Sequence, residues 1–166
     1  PILWDGKWFL RAFTDKGEKF GTDEDEFNKI FLNPQSWAVL SRLPSKEQGN
    51  LAFDNVNKYL ACDFGYISHF PASPGFDRDK KSFCGIATGI KENGGVFCHA
   101  NTWAIMAYCM LNRGNDAYKI YSELIPDNVI SKVGVERYIT EPYIYSSNIR
   151  ALYAPRGGEA AVSWVT

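Results

Sequence analysis

A mainly helical domain with long loops between its helix pairs is the fold class this sequence predicts, and three observations predict it. Apolar residues recur at helical spacing in several separate stretches, proline, glycine and a Ser-x-x-Gln box punctuate those stretches, and the long segment between Asp63 and Gly95 keeps neither a helical nor a strand period. At 166 residues the chain suits one domain with one core better than two.

The elements follow in order. The segment WDGKWFLRAFTDKGEKFGT places apolar residues on both sides of Asp15-Lys16-Gly17, which predicts a β-hairpin near the N-terminus. Asn33-Pro34 then reads as a cap and first-turn proline ahead of QSWAVLSRL, with Pro44 as the stop. Ser45 and Gln48 form a capping box for a second helix with Ala52, Val56, Tyr59 and Leu60 on one stripe, and the two helices are expected to pair antiparallel. Gly65, Pro71, Pro74, Gly75, Gly85, Gly89, Gly94 and Gly95 mark an ordered rim loop, of a length that is usually functional when it occurs in a compact domain. A third helix carries Trp103, Met106, Ala107, Met110 and Leu111 and stops at Gly114. A fourth carries Ala117, Ile120, Tyr121 and Leu124 and is closed by Pro126. Thr140-Glu141-Pro142 opens a short helix to about Arg150, and the tail from Gly157 returns to the core. Helix pairs joined by alternately short and long connections, without a fixed sequence period, suit part of an α/α toroid whose long loops build a site at one rim.

Charge and composition narrow the partners. The formal charge is -1, from 18 basic and 19 acidic residues that are interspersed, so no nucleic-acid or anionic-lipid footprint is present. Five Trp, nine Tyr and eleven Phe exceed what a core of this size usually needs, and flat rings that stack on apolar sugar faces are one use for the surplus. Cys62, Cys84, Cys98 and Cys109 make no C-x-x-C pair and no zinc-type spacing with histidine, so they read as reduced thiols and no metal site is expected. No apolar run is long enough to span a membrane, and with no leader at Pro1 the cytoplasm is the expected compartment. A start without Met and an end at Thr166, directly after the apolar run from Ala160 to Val165, read as an internal piece of a longer protein.

Chemistry concentrates in KENGGVFCH, Lys91 to His99. His99 sits at a helix start that Asn101 is placed to cap, where an anion would meet backbone N–H groups, the helix dipole and an imidazole together, and Gly94-Gly95 lets backbone approach closely. A structural histidine is the alternative. Lys91 and Glu92 enter a glycine turn, either as sugar-binding side chains in a pocket or as a solvated loop tip. Glu141 has the same two readings as a functional carboxylate or a first-turn acid, His69 has no partner in the sequence to suggest a role, and the acidic run Asp23 to Glu26 reads as surface.

The strings KENGGVFCHANTWAI, WDGKWFLRAF, KIFLNPQSWAVLS and ERYITEPYIY closely resemble the catalytic domain of the cellobiose, chitobiose and cellodextrin phosphorylases, family 94 of the glycoside hydrolases and formerly a glycosyltransferase family. The resemblance covers essentially the whole chain. It implies an (α/α)6-barrel catalytic domain in a hexosyl-transferring enzyme that cleaves a β-linked di- or oligosaccharide with inorganic phosphate, inverting the anomeric centre to release an α-sugar 1-phosphate. It implies no metal or organic cofactor, phosphate as co-substrate, and a homodimeric full-length parent. It maps His99 onto the family's phosphate-binding histidine and Thr166 onto the phosphate-holding threonine of a W-[LIV]-T-G-T motif, of which this sequence has Trp164-Val165-Thr166. Lys91 and Glu92 match the Lys-Glu pair that lines the sugar subsites.

An inverting glycosidase needs an acid for the leaving oxygen and a base for water. Phosphate is already an anion and dispenses with the base. The remaining acid is, in the family, an Asp in a G-D-W-N-D-G string that does not occur in this sequence. The motif order places it upstream, with an N-terminal β-sandwich and the first half of the barrel, and a C-terminal part is absent as well. The expectation is therefore a partial barrel that holds phosphate and sugar and is inactive alone. Ser147, where many relatives carry Gln, and Thr88, where a Pro-Gly approach to Lys-Glu is usual, are departures that leave sugar and acceptor preference open. A non-catalytic carbohydrate-binding remnant and part of a cyclic glucan synthase are the alternatives.

Overall fold

The computed structural model describes residues 2–75 and 85–161. In chain order these are β1 (Ala12–Phe13), β2 (Lys19–Phe20), β3 (Ile30–Phe31), α1 (Leu32–Leu40), α2 (Lys46–Leu60), β4 (Ala61–Cys62), β5 (Gly65–Tyr66), β6 (His69–Phe70), β7 (Val96–Phe97), α3 (Cys98–Met110), α4 (Gly114–Leu124), α5 (Pro126–Val133), α6 (Val135–Tyr138) and β8 (Asn148–Ile149). The architecture is helix-rich with small sheets, the strands pairing antiparallel as β1-β2, β3-β6, β4-β5 and β7-β8.

The helices form a core layer in which α3 packs against both α1 and α4 while α2 lies against α1. Phe53, Val56 and Leu60 of α2 are fully buried with Ala104, Ala107 and Tyr108 of α3 and Ile120 of α4. Removing the ring of Phe53 would cost about 3–5 kcal/mol, since transfer and cavity terms add. Buried polar side chains here are paired: the Tyr66 and Tyr108 hydroxyls lie 2.8 Å apart, and Tyr66 also donates to Asn57. Trp8 donates its indole N–H to the carbonyls of Gly21 and Lys29, and the Gln35 amide clamps the backbone of Phe9 while bonding the Phe31 carbonyl. Together these fasten the N-terminal arm to α1.

β1 and β2 pair around Asp15-Lys16-Gly17, where the apolar pattern places a hairpin. The Ser45–Gln48 capping box is present with both of its hydrogen bonds. Elsewhere tertiary contacts override local signals. Asn33 is not a cap: α1 begins at Leu32, and Pro34 falls in the first turn, where its missing N–H costs nothing. Pro44 is not the direct stop either, because α1 has ended by Ser41 and the chain reverses through Arg42 at φ 59°. Asn101 lies inside α3, buried, and its amide accepts from the Tyr66 N–H and donates to the Tyr66 and Phe97 carbonyls. Gly114 opens α4, while Asn112 in the left-handed region ends the turn after α3. Met106, Met110 and Tyr121 are exposed, so the buried stripes are shifted toward Ala104, Ala107 and Tyr108 and toward Ala117, Ile120 and Leu124.

Pro126 both closes α4 and supplies the first residue of α5, a helix the periodicity misses. No helix runs from Thr140 to Arg150; Asn148–Ile149 pairs with Val96–Phe97 instead, drawing that stretch into an extended path. Asp25 is buried rather than on the surface, accepting from the Gly21 and Thr22 N–H groups. The tail does return to the core, Ala160 donating to the Tyr138 carbonyl and Ala161 to that of Asn148. Among the described residues no helix is long and apolar enough to cross a membrane.

Candidate active site

The β3-β6 ribbon starts the site. Its register sets Phe31 opposite His69, and their rings stack with centroids 4.8 Å apart. The Arg11 guanidinium lies over the Phe31 ring, 5.8 Å from its centroid, a distance at which cation–π attraction operates. Arg11 can approach because residue 21 is glycine: a Cβ there would stand 2.8 Å from the Arg11 backbone nitrogen. Phe31, His69 and Arg11 thus form one wall of a cleft of about 230 Å³, completed by Asn33, Ser68, Glu92, Phe97, Ala100 and Trp103. That volume is below the roughly 300 Å³ at which pockets for drug-sized ligands begin, and suits one small ring.

The glycine turn contributes Glu92 to the lining. Gly95 donates to the Lys91 carbonyl, and a Cβ at residue 95 would lie 2.5 Å from the Lys91 nitrogen, so only glycine closes this turn. Asn93 is fully buried and spends its amide on the Ser73 backbone, the Ser73 hydroxyl and the Ile86 carbonyl. The two flanking charges part company. Glu92 is on the cleft wall, whereas Lys91, at φ 48°, lines a separate basin of about 260 Å³ with Arg150 and Glu159.

From the turn the chain passes through β7 into α3. Among the described residues the helix start has no side-chain cap, so its first turn offers amides to an anion apart from Cys98 N–H, which bonds the Ser147 carbonyl at 3.0 Å. His99 is exposed on that turn, its ring 4.7 Å from Trp103, which in turn meets Trp37 edge-on at 5.2 Å. His99 is therefore not a buried structural histidine; it is one ring removed from the cleft that Trp103 lines. Thr166 lies outside the described residues.

Sequence reasoning passes over three residues of this cleft. His69 is fully buried, and burial holds its imidazole down at about 4 against the weaker opposing effect of hydrogen bonding to Asn93 and the Glu92 backbone, so it is neutral at ordinary pH. Ser68 and Arg11 lie 24 and 81 residues from Glu92 along the chain, and no spacing rule joins them. The only signal was local, in the RAF string of Arg11 and the Ser68-His69 pair at the edge of the aromatic loop. Electrostatically the cleft offers one cation, one carboxylate, a neutral imidazole and aromatic walls.

Residues 2–166 match the model of the glycosyl hydrolase 94 superfamily, catalytic domain. This chain belongs to that superfamily. It is 34% identical over 163 residues to a solabiose phosphorylase from Paenibacillus borealis, covering 98% of this chain and 21% of the relative. It is 35% identical over 166 residues to an N,N'-diacetylchitobiose phosphorylase from Vibrio proteolyticus, covering 99% of this chain and 20% of that protein. A cyclic beta-(1,2)-glucan synthase of Rhizobium meliloti is 30% identical over 160 residues, 93% of this chain and 6% of the relative. The glycosyl hydrolase 94 chain described here thus spans about a fifth of the length of its phosphorylase relatives.

Proposed function

We propose that this chain is the sugar- and phosphate-holding part of an inverting phosphorylase that cleaves a β-linked di- or oligosaccharide with inorganic phosphate to an α-sugar 1-phosphate. One observation carries the reading: a single glycine turn brings Glu92 to the cleft wall and leads directly into the uncapped start of α3, on which His99 is exposed. In this reading Glu92 accepts hydrogen bonds from sugar hydroxyls inside the cleft. Lys91, by the family pattern, serves hydroxyls at its outer side, and His99 with the α3 amides holds phosphate, assisted by Thr166.

The chemistry divides accordingly. Phosphate attacks the anomeric carbon, the glycosidic C–O bond breaks, and a proton passes to the departing sugar oxygen. Holding an anion in line with that carbon substitutes for the base an inverting hydrolase needs. The proton donor is assigned to the Asp of the family's G-D-W-N-D-G string, outside this chain. An (α/α)6 barrel completed by further helices, a homodimeric parent and a cytoplasmic location belong to the same reading, with no cofactor beyond phosphate. The helix-rich architecture supports the barrel, and the phosphorylase relatives support the reaction.

The test is to incubate the full-length protein with chitobiose, cellobiose or cellodextrins and phosphate. Formation of an α-sugar 1-phosphate is expected. Release of free sugars at a rate independent of phosphate would overturn the reading. The synthase relative supports a second reading, in which glucan is transferred to glucan, and phosphate-independent cyclisation of a β-glucan in the same assay would favour it.

A further inference from the structure

We infer that Ser68 is a positioning residue for Glu92, acting through the backbone of the glycine turn; the inference rests on the proposed sugar-binding role of Glu92. Ser68 precedes β6 and is tied to that turn at three points. Its N–H donates to the Gly95 carbonyl at 2.8 Å, its hydroxyl donates to the Glu92 carbonyl at 2.9 Å, and the same hydroxyl accepts from the Gly94 N–H at 3.0 Å. One oxygen therefore brackets Asn93 from both sides, and the hydroxyl spends its single proton and one lone pair on the turn. The Ser68 carbonyl accepts from Leu32 N–H at 2.9 Å, which anchors the bracket to the first residue of α1 rather than to another loop.

The geometry distinguishes this from ordinary loop support. Asn93 fastens the turn to residues 73 and 86 and bonds His69, and its side chain makes none of these bonds to the backbone of Glu92. Ser68 lines the cleft together with Glu92 and bonds the backbone of Glu92 itself. Without the hydroxyl the Gly94 N–H loses its partner among the described residues and the Glu92 backbone keeps only its bond to His69, and the turn is free to move by the fraction of an ångström that a carboxylate contact to a reacting sugar does not tolerate. Threonine keeps the oxygen and suits the extended backbone beside β6; alanine does not keep it.

The experiment uses the full-length protein and compares Ser68→Ala, Ser68→Thr, Glu92→Gln and the Ser68→Ala/Glu92→Gln double variant in phosphorolysis, with thermal unfolding of each. The expected result is a loss of roughly 10- to 100-fold in kcat/KM for the saccharide in Ser68→Ala. The KM for phosphate stays unchanged, most activity returns in Ser68→Thr, and the double variant is no worse than Glu92→Gln alone. Wild-type turnover in Ser68→Ala beside an impaired Glu92→Gln overturns the inference alone, as do losses that add in the double variant. Wild-type turnover in Glu92→Gln overturns the reading of Glu92, and the inference with it. If Ser68→Ala is too unstable to assay, Ser68→Thr decides: it must keep the saccharide KM near that of the wild type.

Discussion

The two sides of the glycine turn are built on different physics, although the residues that define them are neighbours in sequence. On the Glu92 side, aromatic rings, a neutral buried histidine and one arginine enclose a small cleft. On the Lys91 side, the buried carboxylate of Glu159 is gripped by Arg150 at 2.8 Å and by Arg156, so the basin is held by charge pairs. The contrast shows that a Lys-Glu dipeptide is not one site. With Lys91 in the left-handed region and the turn closed on Gly95, the two side chains line separate pockets of different polarity.

The largest expected effect tests the neutrality of the cleft side. The folded pKa of His69 is held at about 4, below the ordinary value of 6.5, because burial penalises the imidazolium. Between those values the unfolded chain binds more protons than the folded one, so stability is complete above pH 6.5 and falls as pH drops toward 4. The loss amounts to about 3 kcal/mol at its limit. Unfolding of wild type and His69→Gln compared at pH 7 and pH 4.5 should show a steeper decline in the wild type; parallel curves would break the comparison.

Next in size is Glu92→Gln, for which a roughly hundredfold fall in kcat/KM for the saccharide is expected, in line with losing a charged hydrogen bond worth about 1.5–3 kcal/mol. Gly95→Ala strikes both sides at once, since its Cβ would meet the Lys91 nitrogen and carbonyl oxygen at 2.5 and 2.8 Å. Unfolding should report a loss of about 1–3 kcal/mol, together with weakened saccharide binding. Lys91→Ala sharpens the contrast with the smallest effect, a rise of about tenfold or less in saccharide KM, or about 1.4 kcal/mol, with phosphate KM unchanged. A loss equal to that of Glu92→Gln would mean that the two walls act as one.

How far the sequence reaches depends on how local the physics is. The Ser45–Gln48 box and the 46–60 helix were legible because both partners lie within one turn. The same holds for the Gly94-Gly95 turn, whose glycines announce a close approach. Asn101 misled because an asparagine near a helix start is a cap by local rules, yet here a strand at Tyr66 offered its amide better-satisfied partners. The 140–150 stretch failed likewise, since pairing of Asn148–Ile149 with Val96–Phe97 outweighs a first-turn Thr-Glu-Pro signal.

By itself, then, the sequence determined that the chain is helix-rich, where its capping box and glycine turn lie, and through its unusual strings that it belongs to the glycosyl hydrolase 94 superfamily. Only the tertiary structure decided that Arg11, Ser68 and His69 share a cleft with Glu92 and that Lys91 turns away from it. Helix periods and caps act over three or four residues, which a linear reading sees. A cleft wall is assembled from strand register and close backbone approach between distant segments, and those contacts exist only once the chain has folded.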